Sequence, residues 1–441
     1  MKPNSILKAS ILLFVSAITY VGLGYYTERS NFIQLIFLFA LSFAAYILLL
    51  QQRLSLKLII PAAIFLRLVL MFSWPSLSDD YFRFIWDGRL RVAGENPFLH
   101  LPSYYQTLPT PIPGINLELF KHLNSPHYYS VYPPVSQFVF AFSAWIAPES
   151  NWGMVLSMRF IILMAEAASI VFLIKLLQHY HIPVSRVAWY AFNPLVIVEL
   201  TGNLHFEALL ICGLLGSIYL LKRHKLLLSG AILGLAIGVK MIPLIFMPFL
   251  LAHLGWKKFL VFASATGFTL CLLFLPFLSQ ALFQNIGQSL NLYFQKFEFN
   301  ASVYYVFRWL GSLVLGYNTI GVLGPFLSLA TFVTIMAAAY QNRNRFNQNL
   351  LTYFLLALSI YLFLATTVHP WYLTTLVALS VFTPFRYALV WSGIAVFSYA
   401  AYQTQLYQEN LYVIALEYIV VYGWLIWEIV KNRKLITSSI H

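Results

Sequence analysis

The chain contains only three aspartates, Asp79, Asp80 and Asp87, and they share one short window, Asp79-Asp80-Tyr81-Phe82-Arg83-Phe84-Ile85-Trp86-Asp87. With 14 acidic residues in 441, such clustering is a feature of its own. Carboxylates beside arginines suit one kind of chemistry well. A carboxylate can act as general base on an attacking hydroxyl, while guanidinium groups stabilise charge that develops on a phosphate. The same residues also have a structural reading. Ser78 is a suitable N-cap, aspartates at the first helical positions favour the positive end of the helix dipole, and Arg83 and Arg91 can pair with Asp80 and Asp87.

These residues need an element to hold them. Drawn as a helix at about 100° per residue, residues 80–93 place Asp80, Arg83, Asp87 and Arg91 on one stripe. Phe82, Ile85, Trp86 and Val92 fall opposite. The pattern predicts an amphipathic helix lying on a membrane surface. Arg89 lands amid the apolar face, where it must snorkel or meet a phosphate. Periodicity alone does not choose between the structural and the chemical reading.

The rest of the chain is a membrane protein. It is 60% hydrophobic and 9% charged, against about 25% charged in a soluble domain, and its mean hydropathy is +0.76. Apolar stretches of spanning character run over 6–25, 31–50, 57–74, 155–177, 186–201, 204–221, 258–279, 318–340, 349–368, 370–385, 388–404 and 411–430. Lys240 and Pro243 break a further stretch, 226–251, which is read as a re-entrant hairpin, and 132–147 is short enough to be interfacial. The first stretch, behind Lys2 and Lys8, is read as a retained helix rather than a signal peptide. The expected fold is thus all-α and polytopic, one membrane domain over 1–441 with about 12 transmembrane helices.

The net charge of +13 comes in small groups between apolar runs. That pattern records topology, and nucleic acid is not an expected partner. With the N-terminus in the cytoplasm, the cytoplasmic connections collect more than half of the 27 Lys and Arg: Lys2, Lys8, Arg53, Lys57, Lys175, Arg186, Lys222, Arg223, Lys225, Lys257, Lys258, Arg343, Arg345, Arg386, Lys431, Arg433 and Lys434. Both termini are then cytoplasmic, and the long loop 75–131, with its aspartates, faces outward. Cys212 and Cys271 lie inside apolar runs and form neither a disulfide framework nor a metal cluster.

Asp79-Asp80-Tyr81, then Gly94-Glu95-Asn96-Pro97-Phe98, then Tyr132-Pro133-Pro134, resemble the first outer loop of GT-C glycosyltransferases. The likeness is to polyprenyl-phosphate-mannose-dependent mannosyltransferases, including the GPI mannosyltransferase catalytic subunit and bacterial phosphatidylinositol-mannoside enzymes. Asn193-Pro194, Gly202 to Ala208, Val239 to Pro243 and His369-Pro370-Trp371-Tyr372 are similar to landmarks of bacterial members, so the resemblance runs from about residue 75 to 385. It implies inverting transfer of a hexose, most naturally mannose, from a polyprenyl-phosphate donor to a hydroxyl of a glycolipid or glycan. It implies an extracytoplasmic site in a bacterial inner membrane, with Asp80 as base and Asp79 as understudy. Eukaryotic members carry Asp-x-Asp here, whereas this chain has Ser78-Asp79-Asp80. The first acid is missing, so no obligatory metal or other cofactor is expected.

Further substrate contacts are expected from Arg83, Asp87, Arg89, Tyr132, Arg159, His205, Glu207 and His369. Arg67, Arg159, Glu166, Glu199 and Lys240 sit inside apolar runs, where a charge at mid-bilayer costs about 2.5–3.5 kcal/mol and must face protein or water. Arg159, near the outer end of its helix, is the candidate for the donor phosphate. Lys240 resembles a landmark but has no evident route to the outer face. His100, His122 and His127 match no zinc spacing and are read as solvated. The sequon Asn300-Ala301-Ser302 is read as chance. The rival functions are a flippase for lipid-linked sugars, which would show repeated halves and broken helices at the midplane, and a GT-C enzyme moving another group.

Overall fold

The computed structural model describes residues 3–52, 54–295, 297–343, 346–404 and 407–438. Lys2, Arg53 and Arg345, named above among the cytoplasmic cations, lie outside the described residues, as do the side chains of Arg433 and Lys434. The chain is all-helical, with one isolated β-bridge, Phe299 to Thr367, among the described residues. It is a polytopic membrane protein. Helices such as Phe32–Gln51 and Ile320–Gln341 turn a lipid-facing surface outward, with Phe37, Phe326 and Phe332 more than half exposed. Apolar side chains are tolerated there because the surrounding solvent is hydrocarbon.

Six helices among the described residues are long and apolar enough to cross a bilayer, and seven if a sharply bent pair counts as one span. The sequence led us to expect about 12. Three local breaks explain much of the difference. The stretch 57–74 forms a helix only over Leu56–Leu68, with Pro61 inside it. Beyond it, Met71 O and Ser73 O accept hydrogen bonds from Arg159 Nη1 (2.9 and 2.6 Å), so a side chain takes the place of helical partners. The stretches 186–201 and 204–221 become a bent pair, Pro194–Gly202 and Glu207–Lys222, at 114°. Its corner contains a π-helical turn, Ile197–Gly202, and Leu204 in the left-handed region (φ 61°). Such backbone costs free energy and persists only where its surroundings fix it. Arg159 fixes it, because Nε donates to Thr201 O (2.8 Å) and Nη2 to Gly202 O (2.9 Å). Finally, 370–404 folds into short helices, Leu373–Ser380 and Tyr387–Ile394, whose residues are mostly buried. Their apolar runs serve an internal core.

The region 226–251 doubles back on itself. Along Leu226–Val239, Gly230 lies against Phe262, Gly234 against Thr266 and Gly238 against Leu273. That helix and residues 257–274 therefore run side by side in the same direction. The chain between them must return, and Gly255 (φ 71°, ψ 162°) makes the second turn, a conformation glycine adopts without steric cost. Lys240 occupies the tip of this hairpin, in extended backbone (φ −158°, ψ 138°).

The aspartate-bearing segment is helical over Asp80–Val92, as its periodicity predicted, but its setting differs. Residues 83–90 are buried on every side, so Arg83 and Asp87 of the polar stripe face protein rather than water. The helix Pro134–Ile146 covers it, and Phe84 stacks on Phe140 at 4.7 Å. Gly88 permits this approach, since a Cβ there would sit 2.4 Å from Phe140 O. Gly88→Ala should accordingly lower the thermal unfolding temperature in detergent and slow turnover. Overpacking costs about 1–3 kcal/mol, more than the gain of up to about 1 kcal/mol in helix propensity. An unchanged unfolding temperature would show that the two helices can part freely.

Candidate active site

Asp79 and Asp80 begin the loop helix, and the backbone N–H of Asp80 donates to Ser78 Oγ at 3.3 Å. Asp79 Oδ2 pairs with Arg29 Nη2 at 2.5 Å, both partners remaining partly exposed. Arg29 comes from the turn between the first two helices, and its guanidinium carbon lies over the Tyr402 ring, 4.2 Å from the centroid. Asp80 Oδ1 accepts a hydrogen bond from Asn124 Nδ2 at 2.6 Å. Each carboxylate thus has a nitrogen partner while one edge stays accessible.

Both carboxylates line a cavity of about 810 Å³, within the size range of small-molecule sites. The same cavity is lined by Tyr132, His205, Glu207, Lys240 and His369, which come from four separate parts of the chain. The bent pair delivers His205 and Glu207, and the hairpin tip delivers Lys240. Lys240 Nζ is ion-paired with Glu207 Oε1 and rests over the Tyr372 ring at 3.9 Å. His205 Nδ1 lies 2.9 Å from Glu199 O and 3.3 Å from Glu199 Oε2, and Glu199 also accepts from Tyr399 Oη at 2.7 Å. Burial, with Lys240 and His205 nearby, holds His369 well below the usual imidazole range, so it is neutral near pH 7.

Four expected substrate contacts do not line this cavity. Arg83 pairs with Asp87 at 2.8 Å and donates to Ser125 O and Tyr128 O, beside the Asn124 that holds Asp80. Asp87 is fully buried and accepts from Ser130 Oγ and Gln137 Nε2. Arg89, rather than snorkelling, donates to Pro148 O (3.1 Å) and Gly114 O (3.0 Å). Arg159, the expected phosphate ligand, is fully buried with its guanidinium committed to the four carbonyls described above. A buried arginine satisfied by backbone oxygens positions the fold and has no free edge for an anion. Arg67 is likewise paired with Glu166 at 2.7 Å in the interior.

The loop histidines stand apart from the cavity, His100 stacked on Tyr104 and His122 on Phe82. No group of three or more His, Cys, Asp or Glu placed to hold a metal occurs among the described residues. Asn300 of the sequon is buried.

Sequence reasoning passed over Arg29, Asn124 and Tyr402. For Arg29 a signal existed, because an arginine in a connection expected to lie outside runs against the charge bias. Nothing in the sequence marks Asn124 or Tyr402.

Residues 15–255 match the model of the MptA_B family, described as alpha-(1->6)-mannopyranosyltransferase, N-terminal domain. The chain belongs to this family. No individual curated protein matches it significantly. The matched span of this mannosyltransferase family member includes Asp79, Asp80, the bent pair and Lys240, whereas His369 and Tyr402 lie beyond it. A membrane-embedded glycosyltransferase transferring mannose is consistent with a cavity that joins carboxylates to cationic and aromatic groups.

Proposed function

We propose that this mannosyltransferase takes mannose from a polyprenyl-phosphate carrier and passes it, with inversion, to a hydroxyl of a glycolipid or glycan on the extracytoplasmic face. Asp80 is the general base, with Asp79 beside it. The observation that carries this reading is the two-sided character of the cavity. Asp79 and Asp80 share it with Lys240, and its wall also includes the apolar side chains of Leu244 and Phe332, which are 45% and 61% exposed. A donor whose tail stays in the bilayer and whose head meets a water-borne hydroxyl fits that wall.

In the reaction, the Asp80 carboxylate takes the proton of the acceptor hydroxyl while its oxygen forms a bond to the sugar C1. The bond from C1 to the phosphate oxygen breaks, and its electron pair leaves with the carrier phosphate. Orientation follows from charge: Lys257 and Lys258 lie at the end of the hairpin opposite its Lys240 tip, which supports a cytoplasmic position for that end. A bacterial inner membrane with both termini cytoplasmic is the proposed setting.

The test is purified full-length protein in nanodiscs, given mannose on either polyprenyl phosphate or a nucleoside diphosphate, together with extracted envelope glycolipids. Mannosylated product from the lipid donor alone is expected. Transfer from the nucleotide donor alone would refute the donor assignment, and movement of the lipid donor between leaflets without any product would favour a flippase.

A further inference from the structure

We propose that Lys240, His205 and His369 form the seat of the donor phosphate, and that Glu207 is a resident counter-ion which Lys240 exchanges for that phosphate; this rests on the lipid-phosphate reading above. The seat is built on one stacked wall. The His205 ring stacks on Trp371 (3.8 Å, 15°), and Trp371 stacks on His369 (4.3 Å, 4°). Both imidazoles are buried, yet His205 Nε2 and His369 Nδ1 have no hydrogen-bond partner within the protein. Buried polar atoms are paired in most proteins, so two orphaned ring nitrogens on one cavity wall mark a place where a ligand supplies the partner.

His205 Nδ1 donates to Glu199 O, so its unpartnered Nε2 can donate to an anion only in the doubly protonated ring. His369 is held neutral and can donate from Nδ1. The charge beside these rings is Lys240, whose ammonium lies between Glu207 and the Tyr372 ring and whose side chain is 31% exposed. It is thus reachable and already neutralised.

That neutralisation has a consequence for turnover. The sugar-bearing carrier phosphate is a diester with one negative charge, and the leaving carrier is a monoester that carries close to two at neutral pH. A bare lysine would bind the product more tightly than the substrate and delay its release. Glu207 opposes this, because an anion on Lys240 must displace its carboxylate and then sit beside it. The pair therefore lets Lys240 stabilise the charge as it appears and then let it go.

The two halves of the ion pair can be separated by the sign of their effects. Full-length variants in detergent would be titrated with farnesyl phosphate, with farnesol as the lipid lacking a head and inorganic phosphate as the head lacking a lipid. Wild-type protein should prefer farnesyl phosphate to farnesol. Lys240→Met should weaken farnesyl phosphate binding about ten-fold or more, and Glu207→Gln should tighten it by a similar factor while lowering kcat through slow release. Lys240→Arg, which keeps the charge, should stay near wild type and decides the matter if Lys240→Met or Glu207→Gln does not fold. A purely structural ion pair gives shifts of the same sign in Lys240→Met and Glu207→Gln, and that outcome overturns the seat alone. Equal wild-type affinity for farnesyl phosphate and farnesol, or inorganic phosphate binding as tightly as the lipid, overturns the lipid-phosphate reading beneath it.

Discussion

Replacing Asp80 with asparagine should abolish mannosyl transfer while leaving the amount of folded protein unchanged. Asparagine matches aspartate in shape, and the position is only partly buried at the start of the loop helix, so little packing changes. Its described side-chain partner, Asn124 Nδ2 at 2.6 Å, can donate to the carboxamide oxygen as it does to the carboxylate. What disappears is the capacity to take a proton, and loss of a general base slows a reaction by about 10²–10⁴-fold. Asp79→Asn provides the contrast. It removes the ion pair with Arg29, whose partners are 25% and 40% exposed, and partly exposed pairs contribute about 0–1 kcal/mol. A several-fold loss is expected there rather than abolition. Radiolabelled mannose transfer, read beside size-exclusion profiles of both variants, measures the difference. Full turnover in Asp80→Asn with none in Asp79→Asn would move the base to Asp79.

Arg29 and Arg159 show how far the sequence could be read. The loop helix and its aspartates were legible because a 3.6-residue pattern and a rare residue type both leave marks in a linear string. The hairpin 226–251 was legible because Lys240 and Pro243 interrupt an apolar run. The partner of a charge leaves no such mark. Arg159, near the outer end of its helix, suggests an anion site on hydropathy grounds, and only the broken backbone at Met71, Ser73, Thr201 and Gly202 shows that carbonyls already fill its fork. Arg29 reaches Asp79 across fifty residues, and no spacing rule encodes that distance. The number of long helices among the described residues differs from the expected spans for a related reason. Leu373–Ser380 reads as membrane helix because an internal core and a bilayer are equally apolar, and only its burial separates them. The hairpin tip at Lys240 was visible as an interruption, but its arrival beside His205 and His369 depends on helices packed far apart in sequence.

The interior charges give the second large effect. Arg67→Met should sharply reduce the yield of folded protein, although methionine fills much of the same volume in an apolar setting. Arg67 and Glu166 are both fully buried, joined by Nε at 2.9 Å and Nη2 at 2.7 Å. Arg67 Nη1 also donates to Ala63 O (3.0 Å) and Ala191 O (2.8 Å), and Glu166 accepts from Thr201 Oγ1. The group therefore ties Leu56–Leu68 and Asn151–His179 to the bent pair that carries Glu199, His205 and Glu207. Removing one partner leaves a charge without compensation in a low-dielectric interior, at about 3–5 kcal/mol, a large part of the roughly 5–15 kcal/mol by which folded domains are stable. The double variant Arg67→Met/Glu166→Leu should recover part of the yield, because the lone carboxylate is gone while Ala63 O, Ala191 O and Thr201 still lack their partner. Monodisperse yield and unfolding temperature in detergent measure both steps. A stable Arg67→Met protein would mean that water or a proton reaches Glu166, and that the bent pair is held by Arg159 alone. The opposite signatures of these sites, lost turnover with intact fold at Asp80 and lost fold at Arg67, separate the charges that face the cavity from those that build it.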